Sequence, residues 1–139
     1  MYSITEDLLK ELKNATDIEV FLKEHNDKFI NKTPHTYLNE LIAAKGIKIS
    51  AVASGSGAGE YVYKIFAGER NPSRDIMITM SFGMGLTLEE TQLLLRISKF
   101  AILDSRDKRD SVILYGLTSG MSVFETDDML YSQKLRTLN

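Results

Sequence analysis

The chain has 139 residues, of which 43% are hydrophobic and 26% charged, as is ordinary for one globular domain with a buried core. It contains no cysteine, so disulfides and thiolate metal sites are excluded and the reducing cytoplasm is the expected compartment. Its 17 basic and 19 acidic side chains give a net charge of −2, whereas many nucleic-acid-binding domains are basic. The N-terminal residues lack the pattern of a secretory signal, and no apolar run approaches the ~20 residues that span a bilayer.

The first 32 residues predict a two-helix extension. Thr5 is placed to cap a first helix that runs through Lys13. Thr16, with Glu19 three residues later, has the pattern of a capping box and predicts the start of a second helix.

The central part of the chain predicts one longer helix followed by two short ones. Thr33-Pro34 is a capping residue followed by proline at the first helical position, and the helix it starts should stop at Gly46. The short helices are expected at about 48–55 and 59–67, separated by a turn of small residues.

The remaining elements are also predicted as helices, which makes the expected fold class all-α. They lie at about 74–82, from a capping box at Thr87 and Glu90 onward, and at about 107–118 and 123–134. No sustained alternation of apolar and polar residues of the strand type appears.

An internal repeat is visible in the second half of the chain. Residues 74–98 and 109–133 match at a constant offset of 35, so that Arg74-Asp75 corresponds to Arg109-Asp110. Each copy has the pattern of a helix, a glycine stop, a Ser or Thr cap with its Glu, and a second helix. Two stacked helical hairpins that cover each other's apolar faces are the structural interpretation. A duplicated binding surface is the functional alternative.

The stretch from Gly46 to Leu88 carries a resemblance to a known family. A short helix, a small-residue turn and a helix ending at Gly68 have the order of a helix-turn-helix unit. The string Ile65-Phe-Ala-Gly-Glu-Arg-Asn-Pro-Ser73, together with residues 37–99 around it, resembles the lambda-repressor-like (Cro-type, xenobiotic-response-element) domain of bacterial and phage transcription regulators. The distance from Ala53 to Ile65 is one residue shorter than in that family.

The resemblance implies a non-catalytic, sequence-specific DNA-binding regulator, which in this family usually binds duplex DNA as a homodimer. The helix-turn-helix domain would span 33–100, between the N-terminal extension of residues 1–32 and a C-terminal hairpin, 101–139, packed on the same core. The helix at 59–67 would enter the major groove. The residues implied in DNA binding are Lys48, Gly59, Glu60, Tyr61, Tyr63, Lys64, Arg70, Asn71 and Arg74.

Several of these residues have an alternative interpretation. Tyr61 could pack in the core, Arg70 could neutralise the end of its helix, and Arg74 could pair with a carboxylate, as its repeat at Arg109 suggests. Glu60 can accept a hydrogen bond from cytosine but repels phosphate. A helical protein-interaction module that kept the fold and lost DNA binding is therefore the competing hypothesis.

No other chemistry is predicted. The glycine-rich string 55–59 lacks a preceding strand and the third glycine of a nucleotide-binding loop, so a flexible turn is the better interpretation. His25 and His35 have no matched carboxylate spacing and support neither a metal site nor acid–base catalysis. No cofactor is expected.

Overall fold

The computed structural model describes residues 4–24 and 32–139, and every regular element in those two ranges is an α-helix. The helices are α1 (Ile4–Asn14), α2 (Ile18–Glu24), α3 (Pro34–Lys45), α4 (Ile49–Ser56), α5 (Tyr61–Phe66), α6 (Arg74–Met84), α7 (Leu88–Ile97), α8 (Lys108–Thr118) and α9 (Val123–Ser132). The all-α fold class is thereby confirmed. The chain divides into a unit within residues 1–31 and a second unit of residues 32–139.

In the first unit, the start of α2 differs from the prediction. The Oδ1 atom of Asp17 accepts hydrogen bonds from the backbone N–H groups of Glu19, at 2.9 Å, and Val20, at 3.4 Å. Asp17 therefore caps α2, and the prediction of a Thr16 cap was wrong. A carboxylate there also interacts favourably with the positive end of the helix dipole. Thr5 lies inside α1 rather than at its cap.

In the second unit, the predicted capping boxes are confirmed at the starts of α7 and α9. The hydroxyl of Thr87 accepts from the N–H of Glu90, whose carboxylate accepts from the N–H of Thr87. Ser122 and Glu125 form the same reciprocal pair. These bonds satisfy N–H groups that a helix N-terminus otherwise leaves unpaired. The two helices therefore begin where their local sequence indicates.

The core of the second unit receives side chains from every helix between α3 and α9. Leu38, Val52, Ile65 and Ile78 are among its fully buried members, and Leu130 of the last helix belongs to the same cluster. One continuous core therefore includes the predicted helix-turn-helix segment and the C-terminal hairpin, so both are stabilised by the same apolar burial.

The two copies of the repeat are joined by reciprocal ion pairs. The Arg74 guanidinium donates to both carboxylate oxygens of Asp110, at 3.1 and 2.9 Å. Arg109 donates to both oxygens of Asp75, at 2.9 and 3.0 Å. Each pair is thus bidentate, the geometry that suits a guanidinium and a carboxylate best. The starts of α6 and α8 therefore lie side by side.

The repeat continues beyond the residues that the sequence pattern indicated. Lys99 and Lys134, which are 35 residues apart, both have left-handed backbones, with φ of 63° and 61°. In the first copy the side chain of Gln92 bonds the backbone of Leu103, and in the second copy the corresponding residue, Asp127, accepts from the N–H of Leu138. The copies therefore extend to residues 74–104 and 109–139.

An ion pair connects α3 to α7. The ammonium of Lys45 lies 2.9 Å from the carboxylate of Glu90. Burial acts to raise the pKa of Glu90, but the N–H of Thr87 and the ammonium of Lys45 bond its charged form, and the net pKa lies below its ordinary value. Burial, together with the nearby negative charge of Glu90, raises the pKa of the Tyr37 phenol. Tyr37 therefore stays neutral and Glu90 charged at pH 7.

Candidate nucleic-acid interface

Helix α4 is fixed by a close backbone approach to α6. A Cβ on Gly83 would lie 2.9 Å from the backbone nitrogen of Ser56 and 3.0 Å from the carbonyl oxygen of Val52. A Cβ on Gly55 would lie 3.3 Å from the Cα of Gly83. Because two helices approach this closely only where side chains are missing, the pair of glycines sets the position of α4 on the core.

The turn between α4 and α5 is built from two glycines with left-handed backbones. Gly57 has φ of 78° and Gly59 has φ of 63°, conformations that cost other residues free energy. The hydroxyl of Ser56 accepts from the N–H of Ala58 at 3.2 Å and so holds the chain between them. The second half of the glycine-rich string, residues 57–59, is therefore a defined helix-to-helix turn, whereas Gly55 and Ser56 belong to α4.

Helix α5 has one buried face and one exposed face. Val62, Ile65 and Phe66 are buried in the core. Tyr63 exposes 47% of its surface, and Lys64 is exposed beside it. The six-residue helix therefore presents its outward side chains to solvent within the described part of the chain.

The C-terminal end of α5 is held by a residue that the sequence analysis did not identify. The side-chain nitrogen of Asn39, on α3, donates to the carbonyl oxygen of Phe66 at 2.8 Å, and it also donates to the carbonyl oxygen of His35 at 2.8 Å. The bond satisfies a carbonyl group that the end of a helix leaves free. No local signal marks Asn39, because its partner lies 27 residues away.

The turn has a second support that sequence patterns did not reveal. The side chain of Asn139 donates to the carbonyl oxygen of Ser56 at 3.4 Å, and the ring of Phe124 lies 3.2 Å from where a Cβ on Gly57 would stand. Asp127 accepts from the N–H of Asn139 at 3.0 Å and holds it there. The second copy of the repeat thus contacts the turn that precedes α5.

Most of the other candidate residues are exposed. Lys48 lies immediately before α4. Gly59 and Glu60 precede α5, and Arg70 and Asn71 follow it. Among the described residues, Lys48, Lys64 and Arg70 have no carboxylate within ion-pair distance, and Arg70 donates only to the adjacent carbonyl oxygen of Glu69, at 3.2 Å. Three cationic groups, one before α4, one on α5 and one after α5, therefore have no ion-pair partner among the described residues.

Two candidates have structural roles instead. Arg74 pairs with Asp110 and also donates to the carbonyl oxygens of Ala101, at 2.9 Å, and Ile102, at 3.3 Å. These hydrogen bonds favour the carboxylate alternative for Arg74 over a contact with DNA. Tyr61 is half-buried and packs against the core, which likewise favours its structural interpretation.

The described ranges provide no support for a metal or membrane site. Within residues 4–24 and 32–139, no group of three His, Asp or Glu side chains is arranged to hold a metal ion. No helix in those ranges is both long enough and apolar enough to cross a bilayer. His25 lies outside the described residues, and the ring of His35 packs against Gly68.

Comparison of the chain with protein-family models, with curated proteins and with solved structures gives no match. The surface around α5 is therefore the candidate functional surface. That surface carries exposed cationic side chains and the exposed phenol of Tyr63. In DNA-binding proteins, such groups contact phosphates and base edges.

Proposed function

We propose that this chain is a non-catalytic, sequence-specific DNA-binding transcription regulator of the lambda-repressor-like, Cro-type helix-turn-helix class. The observation that carries the proposal is the division of α5 into a buried face and an exposed one. Val62, Ile65 and Phe66 anchor the helix, while Tyr63 and Lys64 project outward. A recognition helix needs this arrangement, since its outer side chains must reach base edges in the major groove.

The remaining candidates divide into base contacts and phosphate contacts. Tyr63 and Lys64 would face the bases, through the phenol hydroxyl and the ammonium group respectively. Lys48 and Arg70 would neutralise phosphates, and Asn71 would donate a hydrogen bond to the backbone. At Gly59 a Cβ would meet no atom within 4 Å, so a DNA strand could approach this part of the turn closely.

A protein-interaction module is the second candidate, and a specific observation favours it. Glu60 and Glu69 are both exposed, one on each side of α5, and Arg74 is withdrawn into its ion pair with Asp110. The two carboxylates reduce the positive potential of the surface on which DNA binding depends. A partner protein with a basic or mixed-charge surface would tolerate them.

Selection from a pool of random DNA duplexes, repeated across a salt series, tests the proposal. We expect enrichment of a defined sequence and an affinity that falls with rising salt, by a slope of about 0.9 in log K against log salt for each phosphate neutralised. Lys48 and Arg70, the two cations assigned to phosphates, predict a slope of about 2 per chain. If no sequence is enriched and the affinity does not depend on salt, the regulator proposal is wrong and the protein-interaction module is favoured.

A matched pair of charge reversals tests which surface is used. Lys64→Glu should weaken binding of the enriched duplex by about 10- to 100-fold, because it replaces a contact with a repulsion. Lys23→Glu makes the same charge change at an exposed position of α2 and should leave most of the affinity. Fluorescence anisotropy measures both affinities. Equal losses of affinity in the two variants would show that only net charge matters and that α5 does not contact the bases.

A further inference from the structure

The two copies of the repeat differ in how the same face is covered. In the first copy that face carries Met77, Met80, Leu94 and Ile97, all of which are at most 6% exposed. They belong to the same core cluster as side chains of α3 and α5, and Met77 lines a small cavity together with Ile65. Helices of the same chain therefore cover the first copy.

Among residues 32–139, no helix covers the corresponding face of the second copy. The equivalent residues, 35 positions later, line a groove between α8 and α9 of about 310 Å³, which we term the α8–α9 groove. Its lining residues are Ser111, Val112, Tyr115, Met129, Ser132 and Gln133. Tyr115 stands where the first copy has the fully buried Met80, yet 51% of its surface is exposed. Within residues 32–139, the face that α3 and α5 cover in the first copy therefore has no equivalent cover in the second copy.

The charges at the two ends of the groove are opposite. Lys108 lies one helical turn before Val112 on the same face of α8, and Glu125 lies one turn before Met129 on the same face of α9. Because α8 and α9 form an antiparallel hairpin, Lys108 stands at one end of the groove and Glu125 at the other. Both side chains are exposed, and in the described part of the chain neither has an oppositely charged partner.

We infer that the α8–α9 groove is covered by the same groove of a second copy of this chain. A twofold axis perpendicular to the groove brings the Lys108 end of one copy against the Glu125 end of the other, twice in the dimer, and encloses the Tyr115 ring of each copy in the interface. A surface that is apolar at its centre and opposite in charge at its ends complements itself under this symmetry. The inference does not depend on the proposed DNA binding.

Sedimentation equilibrium of the full chain over a concentration series tests the inference. We expect a reversible monomer–dimer equilibrium for the unmodified protein. Tyr115→Arg should raise the dimer dissociation constant by about 30-fold or more, as expected for a large aromatic residue that becomes buried in an interface. Tyr131→Arg is the matched control, since Tyr131 is 79% exposed on α9 but does not line the groove, and it should change the constant by about twofold or less.

Charge reversal tests the antiparallel arrangement. Lys108→Glu and Glu125→Lys should each weaken self-association, because each variant alone places like charges together at both ends. Mixing the two variants should restore association as a heterodimer, since both charge pairs are then opposite. Glu125→Gln, which keeps a side-chain acceptor for the capping box, should weaken the dimer in the same direction if Glu125→Lys disturbs α9.

The outcomes are distinct from those of the DNA experiments. A monomer at every concentration, or a dimer that Tyr115→Arg and Tyr131→Arg affect equally, would overturn the inference. A dimer that is sensitive to Tyr115→Arg, but is not restored by mixing the charge-reversed variants, would overturn the twofold arrangement. None of these results bears on Lys64, which lies on a different helix.

Discussion

The two copies of the repeat share the residues that set the backbone and differ in the residues that face outward. Both start with an Arg-Asp pair, contain a capping box and close with a left-handed lysine. Yet Gly83, where α4 packs against α6, corresponds to Thr118, which is exposed. The residues that form bonds within and between the copies are therefore the same in both copies. The residues on the outer faces differ, because each copy packs against different neighbours.

The largest expected effect is at the ion pairs that join the copies. Asp110→Ala should lower the free energy of unfolding by about 3 kcal/mol, because it leaves the guanidinium of Arg74 partly buried and without its partner. Asp75→Ala should cost less, about 2 kcal/mol, since its side chain is 23% exposed against 10% for Asp110. Urea denaturation with linear extrapolation measures both values. Equal losses, or the reverse order, would mean that burial does not distinguish the two pairs.

The next largest effect separates the covered copy from the open one. Gly83→Ala should cost about 2 kcal/mol, because its Cβ would stand 2.9 Å from the backbone nitrogen of Ser56 and force α4 outward. Thr118→Ala, at the equivalent exposed position, should change stability by about 0.5 kcal/mol or less. Thermal unfolding of the two variants side by side provides the comparison. A tolerated Gly83→Ala would contradict the close approach of α4 and α6.

The smallest effect concerns the two capping boxes. Glu90→Gln and Glu125→Gln both keep an acceptor for the helix N-terminus, but only Glu90 also pairs with Lys45. We therefore expect Glu90→Gln to lower the free energy of unfolding by about 0.5 kcal/mol at pH 7, and Glu125→Gln to lower it by less.

The pH dependence of the Glu90→Gln effect has a definite sign. The pKa of Glu90 in the folded protein lies below its ordinary value of 4.5, so its charge stabilises the fold above that pH. This stabilisation is lost as the pH falls from 4.5 through the pKa of Glu90 in the folded protein. The difference in free energy of unfolding between Glu90→Gln and the unmodified protein should therefore disappear in that range. Urea midpoints measured between pH 7 and acid would reveal this. A gap that widens in acid would contradict the assigned cause of the shift.

Sequence reasoning succeeded where the signals are local. The starts of α7 and α9 were predicted because Thr87 and Ser122 bond residues only three positions away. The same reasoning was wrong for α2, where Asp17 and Thr16 are adjacent and both able to cap. Local pattern alone does not rank two neighbouring candidates, and the structure selects the carboxylate.

Sequence reasoning failed where the partner is distant. The repeat suggested that Arg74 could pair with an acid, but only the packing of α6 beside α8 identifies Asp110, 36 residues away. Asn39 and Asn139, which hold the end of α5 and the preceding turn, had no signal at all, because their acceptors are backbone carbonyls. Candidate residues on the exposed face of α5 were accessible to prediction since helical periodicity separates that face from the buried one.

The most direct measurement is nuclear magnetic resonance mapping of the full chain during titration with its enriched DNA duplex. The proposed function predicts shifts at Lys48 and along residues 59–71, with Tyr63 and Lys64 among the strongest, and little change in the α8–α9 groove, which lies on two other helices. Shifts confined to that groove, or no shifts at any ratio of duplex to protein, would contradict the assignment of α5 as the element that reads DNA.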